Sequence, residues 1–374
     1  MEIIIREAKT KKEIKVFMQF ANELYKNEKN YIPPMFDDEM KSADPKHNLS
    51  LEHCDTILLL AYKDDKIVGR LRGLINHKYN KKNNFKHLRF NHFDVIDDFE
   101  VTKKLFDALI KWGKEKGMTE LNGPIGFNDL EKQGLLIEGF EYESMLITYY
   151  NFPYHQTHLE RLGLKKDVDW VEFRVQIPKE VNPRIEKITN RILGRNNSSI
   201  KRFKNKKKLK PYLYNIFNTY NEAFAPLHGV VELSEAQIDQ YVKQYLPIIN
   251  LDYLSVVVDN KTDQVIAFGL LGPSLNKAMR KTQGRMFPFG FLSVLKELKA
   301  TKVLDMYLVA VKPKYQGLGL NAILLSDITA NAIRNGIHYA ETGPELEDND
   351  KITSFWKNYD AKKIRRRRCY IKKI

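Results

Sequence analysis

Hydrophobic and polar positions repeat the same succession of elements twice along the chain. Ile5 to Lys15 is echoed by Ile200 to Lys210: each reads as a short strand, a basic turn and the start of an amphipathic helix, the helices running to about Tyr25 and about Phe224. A hairpin follows in each half. Thr56–Tyr62 and Ile67–Ile75 flank a Lys-Asp-Asp-Lys turn, and Tyr253–Val258 and Val265–Leu271 flank an Asn-Lys-Thr-Asp turn. Each half then gives strand, helix, strand: Leu88–Val95, Phe99–Gly117 and Met118–Asn122 in the first; Val303–Val311, a helix from Leu320 to about Gly336 and Ile337–Thr342 in the second. Gly123-Pro124 and Gly343-Pro344 stand at equivalent places. His158 to Lys166 matches Trp356 to Lys363, and each leads into a closing strand. Five echoes in register predict two copies of one α+β unit, each a mixed, mostly antiparallel sheet flanked by helices. The units span residues 1–177 and 200–374, with a mixed-charge linker or helix over 178–199.

Length agrees, since 374 residues exceed what one compact core normally holds. The net charge of +15 favours an anionic partner: a nucleotide cofactor, nucleic acid or an acidic membrane surface. Two cysteines, Cys54 and Cys369, are too few for a disulfide scaffold or a zinc cluster, and they fit a reducing, cytoplasmic setting. The N-terminus does not read as a signal peptide, and no apolar run approaches the ~20 residues of a membrane span. No zinc spacing, Gly-x-x-x-x-Gly-Lys loop or Gly-x-Ser-x-Gly elbow is found, so no metal is expected.

The stretch that promises chemistry is Val303 to Leu325: a buried strand, a tight polar turn over Lys312–Gly319, then a helix. A helix N-terminus offers unpaired N–H groups and a positive dipole end to a diphosphate. Gly317 and Gly319 lack the Cβ that would hold the diphosphate off, and Lys312 and Lys314 add charge. Val311-x-Pro313-x-x-Gln316-x-x-Gly319-x-Asn321 resembles the acyl-CoA loop of the GNAT N-acetyltransferase superfamily. The repeated β-α-(α)-β-β-β-α-β-α-β order is similar to the GNAT order.

The whole chain resembles a bacterial family of tandem GNAT-like proteins of similar length. The residues that carry this are Tyr31-x-Pro33-Pro34, Gly123 to Phe127, Gly134 to Phe140, Tyr150 to Tyr154, Asp169 to Glu172, Pro273-x-x-Asn276 and Glu341-x-x-x-x-x-Glu347-Asp348-Asn349. That family brings a fold and an acyltransferase activity but no substrate. The first half's corresponding corner, Ile96 to Glu100, has three carboxylates and no glycine, so only the C-terminal half is expected to bind CoA.

The resemblance implies an acyl-CoA-dependent N-acyltransferase with acetyl-CoA as co-substrate and direct attack by the acceptor's amine. The C-terminal active site would face the N-terminal half. The expected cofactor-binding residues are Val309, Ala310, Val311, Gln316, Gly317, Leu318, Gly319, Leu320 and Asn321, with Asn349 and Trp356 from the helix that matches the superfamily's Asn-x-x-Ala-x-x-Leu-Tyr pattern. Trp356 stands where that pattern has its acidic Tyr, so Tyr359, one turn on, is the expected general acid. Glu341, ahead of Glu345, Glu347 and Asp348, is the expected base. His228 and the group Tyr149, Tyr150, Asn151 and Tyr154 are candidate acceptor-site residues or ordinary core and loop groups. Trp356, Phe355 and the Phe287 to Phe291 segment are candidate walls of an acyl tunnel. Lys204–Lys210 and Arg365–Arg368 read as solvated charge runs. The acceptor is a small-molecule or lipid amine; nucleic acid is disfavoured, peripheral membrane contact stays open, and a monomer is expected. The competing readings are an aminoacyl-tRNA-dependent transferase of tandem-GNAT type and a non-catalytic module for CoA or anionic lipid.

Overall fold

The computed structural model describes residues 2–181, 183–348 and 355–374. The first half runs β1 (Ile3–Glu7), α1 (Lys11–Leu24), α2 (Phe36–Ser42), β2 (Cys54–Lys63), β3 (Lys66–Asn76), α3 (His77–Asn83), β4 (His87–Val95), α4 (Phe99–Glu115), β5 (Glu120–Gly123), β6 (Leu135–Glu138), α5 (Tyr154–Arg161) and β7 (Lys165–Gln176). A connecting helix, α6 (Pro183–Arg195), leads to the second. That half has β8 (Ser198–Lys201), α7 (Lys206–Leu209), α8 (Leu213–Phe224), α9 (Glu235–Tyr245), β9 (Leu254–Asp259), β10 (Val265–Pro273), α10 (Asn276–Thr282) and α11 (Gly290–Ala300). It ends with β11 (Val303–Val311), α12 (Leu320–Arg334), β12 (Tyr339–Thr342), β13 (Glu345–Leu346) and β14 (Ala361–Lys373).

All the strands join one sheet in the order β1-β2-β3-β4-β5-β14-β7-β12-β11-β10-β9-β8, with β6 and β13 paired to its centre. From either edge the same unit is met: four antiparallel strands, then a parallel pair, β4 with β5 or β11 with β12. The closing strands are exchanged. β7, from the first half, pairs with β12 of the second, and β14, from the second, pairs with β5 of the first. β7 and β14 lie antiparallel along most of their lengths at the centre. The boundary expected over 178–199 falls on α6, but residues 165–176 complete the second half's sheet and 361–373 the first half's.

The core of each half is a helix on its sheet. α4 buries Val101, Leu105, Phe106 and Leu109 against β2, β3 and β4, and α12 buries Leu320, Ile323 and Leu324 against Val257, Ile266 and Ala267. The arginine run at the seam is not solvated. Strand alternation turns Arg365 and Arg367 to one face, fully buried, where their Nε atoms both bond the Glu172 carboxylate. Arg366 and Arg368 turn the other way onto Asp169. Two buried guanidiniums need counter-charge to leave water: Glu172, on the partner strand, meets each with one oxygen, and Glu341 gives Arg365 a second carboxylate.

Candidate active site

β11 and β12 pair in parallel only from Val303–Tyr339 to Met306–Thr342, and the N–H of Gly343 closes the ladder on Met306. Beyond that point the strands separate. Tyr307 drops out of the pairing with β10 at a register shift, its ring seated where a Cβ on Gly272 would lie 2.7 Å from it. The Lys312 N–H bonds the carbonyl of Ile266 on β10, so alternation turns the N–H groups of Val309 and Val311 to the opposite edge, into the gap.

The turn after β11 folds on itself: Tyr315 N–H bonds Lys312, and Gln316 donates from Nε2 to the Val311 carbonyl at 3.2 Å. Gly317 and Gly319 hold φ of +77° and +84°. Gly319 is the N-cap of α12 and offers no side-chain acceptor. Among the described residues, the N–H groups from Gly317 to Ala322 find no acceptor. The equivalent corner of the first half is closed: Asp98 caps α4 through the N–H of Glu100 and pairs with Lys63 at 2.9 Å. A protein carboxylate occupies the site an anion would need.

A cavity of about 1600 Å³ joins the uncapped turn to the gap and runs between the halves. Gln316, Gly317, Gly319, Leu320 and Asn321 line one end, Val309, Ala310, Val311, Tyr307, Phe355 and Trp356 the next stretch. Apolar residues of α8 and α9 and of β10, such as Ile216, Tyr241 and Leu271, form the middle. The first half supplies polar lining with Glu39, Arg72, His92, Asp129, Glu131, Lys132 and Tyr149.

Of the sequence-predicted residues, Leu318 is 45% exposed and does not line the cavity, and Asn349 lies outside the described residues. Glu341 is placed elsewhere. It is buried beneath the sheet, one oxygen held by Arg174 at 2.6 Å and the other by Arg365 at 2.5 Å, and it does not line the cavity. Both oxygens of Glu341 are thus taken up by guanidiniums at the seam between the halves. Tyr359 also stays off the cavity wall, packed on Phe355 and Trp356 as a core aromatic. Phe287 and Phe289 point outward, 76% and 74% exposed, and form no tunnel wall. Asn151 is fully used in bonding both backbone groups of Leu136, while Tyr149 does reach the cavity. His228 lies 3.4 Å from Asp167 against Trp170. These two and the Cys369 thiol bring one ligand-type atom each within 4.8 Å of one another. Burial holds that thiol well above its ordinary pKa, and the Arg89 cation acts on the same place, which opposes a dication there.

The geometry adds residues that local sequence did not rank. Glu345 follows the point where β11 and β12 part and lines the cavity. Burial pushes its carboxyl up to about 8, while Trp356 Nε1 donates to Oε2 at 2.7 Å. Trp356 is thereby tied to the Glu345 carboxyl on the cavity wall. Burial keeps the Tyr307 phenol well above its ordinary range, with the Asp305 charge acting in the same direction. Burial raises Asp129 to about 6 and Glu131 to about 7, opposed at Asp129 by the Tyr220 hydroxyl and at Glu131 by the N–H of Phe127. His92 sits at the matching register shift of the first half, with φ +47° and Nε2 2.7 Å from Glu39. Burial drives His92 down to about 4. Gly-Pro at 123 and 343, each followed by acidic residues, was the available signal for Glu131 and Glu345.

No family model matches the chain. Among curated proteins it is 26% identical to Protein YghO of Escherichia coli K12 over 99% of this chain and 95% of that one. It is 24% identical to a bacterial ceramide synthase of Caulobacter vibrioides over 100% and 98%. Among solved structures it is similar to a tandem GNAT protein from the clavulanic acid biosynthesis pathway, with a TM-score of 0.57 at 11% identity over 100% of this chain and 98% of that one. A probable N-acyltransferase of Enterococcus faecalis gives 0.55 at 7% identity, over 100% of this chain and 73% of that one. The chain carries two GNAT folds in tandem.

Proposed function

We propose that the protein is an acyl-CoA-dependent N-acyltransferase whose acceptor is a long-chain, amphiphilic amine. The observation that carries this reading is the single cavity that leads from an uncapped, glycine-lined helix N-terminus, past a strand gap, into apolar space walled by both halves. The CoA diphosphate rests on the N–H groups from Gly317 to Ala322, and the thioester carbonyl accepts from Val309 and Val311 in the gap. Asp129 and Glu131 draw the acceptor's ammonium group inward, and Glu345 takes the proton that makes it a nucleophile. Attack forms the C–N bond and collapse breaks the C–S bond, and the proton left on the new amide nitrogen passes through the Tyr307 hydroxyl to the departing thiolate, so that the phenol ends as it began. About 1600 Å³ exceeds the ~300–1000 Å³ usual for a small-ligand site, which favours a long acyl chain over the acetyl group expected from the loop motif. A ceramide is itself an N-acylated long-chain amine, so the relative of that name supports the same class of acceptor.

Calorimetry with CoA, acetyl-CoA and palmitoyl-CoA is the test. We expect one site per chain and tighter binding of the long-chain thioester, with thiol release only when a long-chain amine is added. Asp129→Asn raises KM for the amine about tenfold and leaves CoA affinity unchanged. Absence of binding by all three thioesters and thiols would overturn the reading.

A further inference from the structure

The chain has a second surface that its core and cavity leave unexplained. Phe287, Phe289, Phe291, Leu292 and Leu295 are exposed, from 38% for Phe291 to 76% for Phe287, all within the short loop before α11 and its first turns. Isolated exposed apolar residues need no explanation, but five large ones in nine consecutive positions form a patch. The inner face of α11 is ordinary core: Val294 and Leu298 pack on Ile32, Leu275 and Met279. Leu298 also lines the cavity, so one helix separates the cavity from the exposed patch. Tyr245 and Ile248, likewise exposed, line the cavity as well.

Charge frames the patch. Residues 276–302 contain seven basic side chains, Lys277, Arg280, Lys281, Arg285, Lys296, Lys299 and Lys302, against one acidic residue, Glu297. Lys281, Arg285, Lys296 and Lys299 are exposed around it. Outward aromatics and leucines with a lysine-rich rim fit an interfacial helix that lies on a bilayer with anionic lipid. No helix among the described residues is long and apolar enough to cross a membrane, so the contact would be peripheral.

We propose that the loop 287–289 and the outer face of α11 dock on an anionic bilayer surface, placing the cavity wall against the lipid that supplies or receives its amphiphilic substrates. The docking itself does not require the acyl-transfer reading. The full chain is floated with vesicles of phosphatidylcholine alone and of an equimolar mixture with phosphatidylglycerol. We expect binding to the mixture. Phe287→Ser/Phe289→Ser/Leu292→Ser/Leu295→Ser, all at exposed positions, lowers partitioning by more than about a hundredfold. Lys296→Gln/Lys299→Gln lowers it about tenfold on the mixture only. Both variants keep the wild-type far-ultraviolet circular dichroism and urea midpoint, which shows that they are folded. Wild-type protein that fails to float with the mixture, or a quadruple variant that floats as well as wild type, would overturn the proposal. So would sedimentation showing a wild-type dimer that the quadruple variant abolishes without vesicle binding, since the patch would then face a second copy. None of these failures touches the acyl-transfer reading, which rests on thiol release.

Discussion

Replacing Glu345 by Gln should make the protein more stable and nearly inactive. Glutamine keeps the oxygen that accepts from Trp356 Nε1 at 2.7 Å, so the local geometry survives. Only the titration is lost. The carboxyl is held up to about 8 in the folded protein against 4.5 for a free glutamate. The sign follows: from about 4.5 to about 8 the unfolded chain has released a proton that the folded chain still binds, so wild-type stability declines with rising pH across that window. At pH 7 the deficit is about 1.4 kcal/mol per pH unit over the interval, or about 3 kcal/mol. Glu345→Gln removes it. Urea unfolding at pH 5 and pH 8 reads the effect directly: the variant's midpoint exceeds that of wild type at pH 8, and the two converge at pH 5. Thiol release by the same samples should fall by about 10²–10⁴. The wild-type rate limb rising with pH toward about 8 should disappear. A variant that keeps wild-type turnover with the alkaline limb intact would refute Glu345 as the base, whatever its stability.

Two further outcomes follow from other parts of the molecule. Glu172→Gln leaves the fully buried Arg367 with no counter-charge and leaves Arg365 only the Glu341 carboxylate that Arg174 also holds; unfolding should become easier by about 3–5 kcal/mol, read as a lower urea midpoint. Although burial opposes it, those two cations hold the Glu172 pKa below its ordinary value of 4.5. Its contribution to wild-type stability is therefore present above about 4.5 and lost as pH falls through the folded pKa. Gly317→Asp puts a carboxylate into open space, since nothing lies within 4 Å of a Cβ there. The left-handed backbone costs about 1 kcal/mol, but CoA affinity should fall more than about tenfold by calorimetry because the charge faces the diphosphate.

Much of the architecture was legible because it is local. A β-branched run followed by Pro, Gly and a helix pattern yields β11, its turn and α12, and both hairpins declare themselves through Asp and Asn turns. The exchange of β7 and β14 was not legible, because alternation identifies a strand without naming its neighbour. The same limit explains Arg365–Arg368: four consecutive arginines read as solvated until Glu172, 193 residues away from Arg365, is seen beneath two of them. It also explains the ranking of Glu341 over Glu345. Four positions separate the two, yet one lies between two guanidiniums and the other in an apolar cavity. Phe287 to Phe291 looked like tunnel wall because hydrophobicity alone does not tell inward from outward.

The exchanged closing strands have a consequence for how the molecule is made. β5 has β4 on one side and finds its other neighbour only in residues 370–373 of β14. During synthesis the amino-terminal half must therefore wait, with an open sheet edge beside its core, until β14 has left the ribosome. Neither half can be expressed alone as a finished unit. Gene deletion of the half without an open CoA corner would strip the other of the strand that borders β12, so that half is retained by folding even where it binds no cofactor.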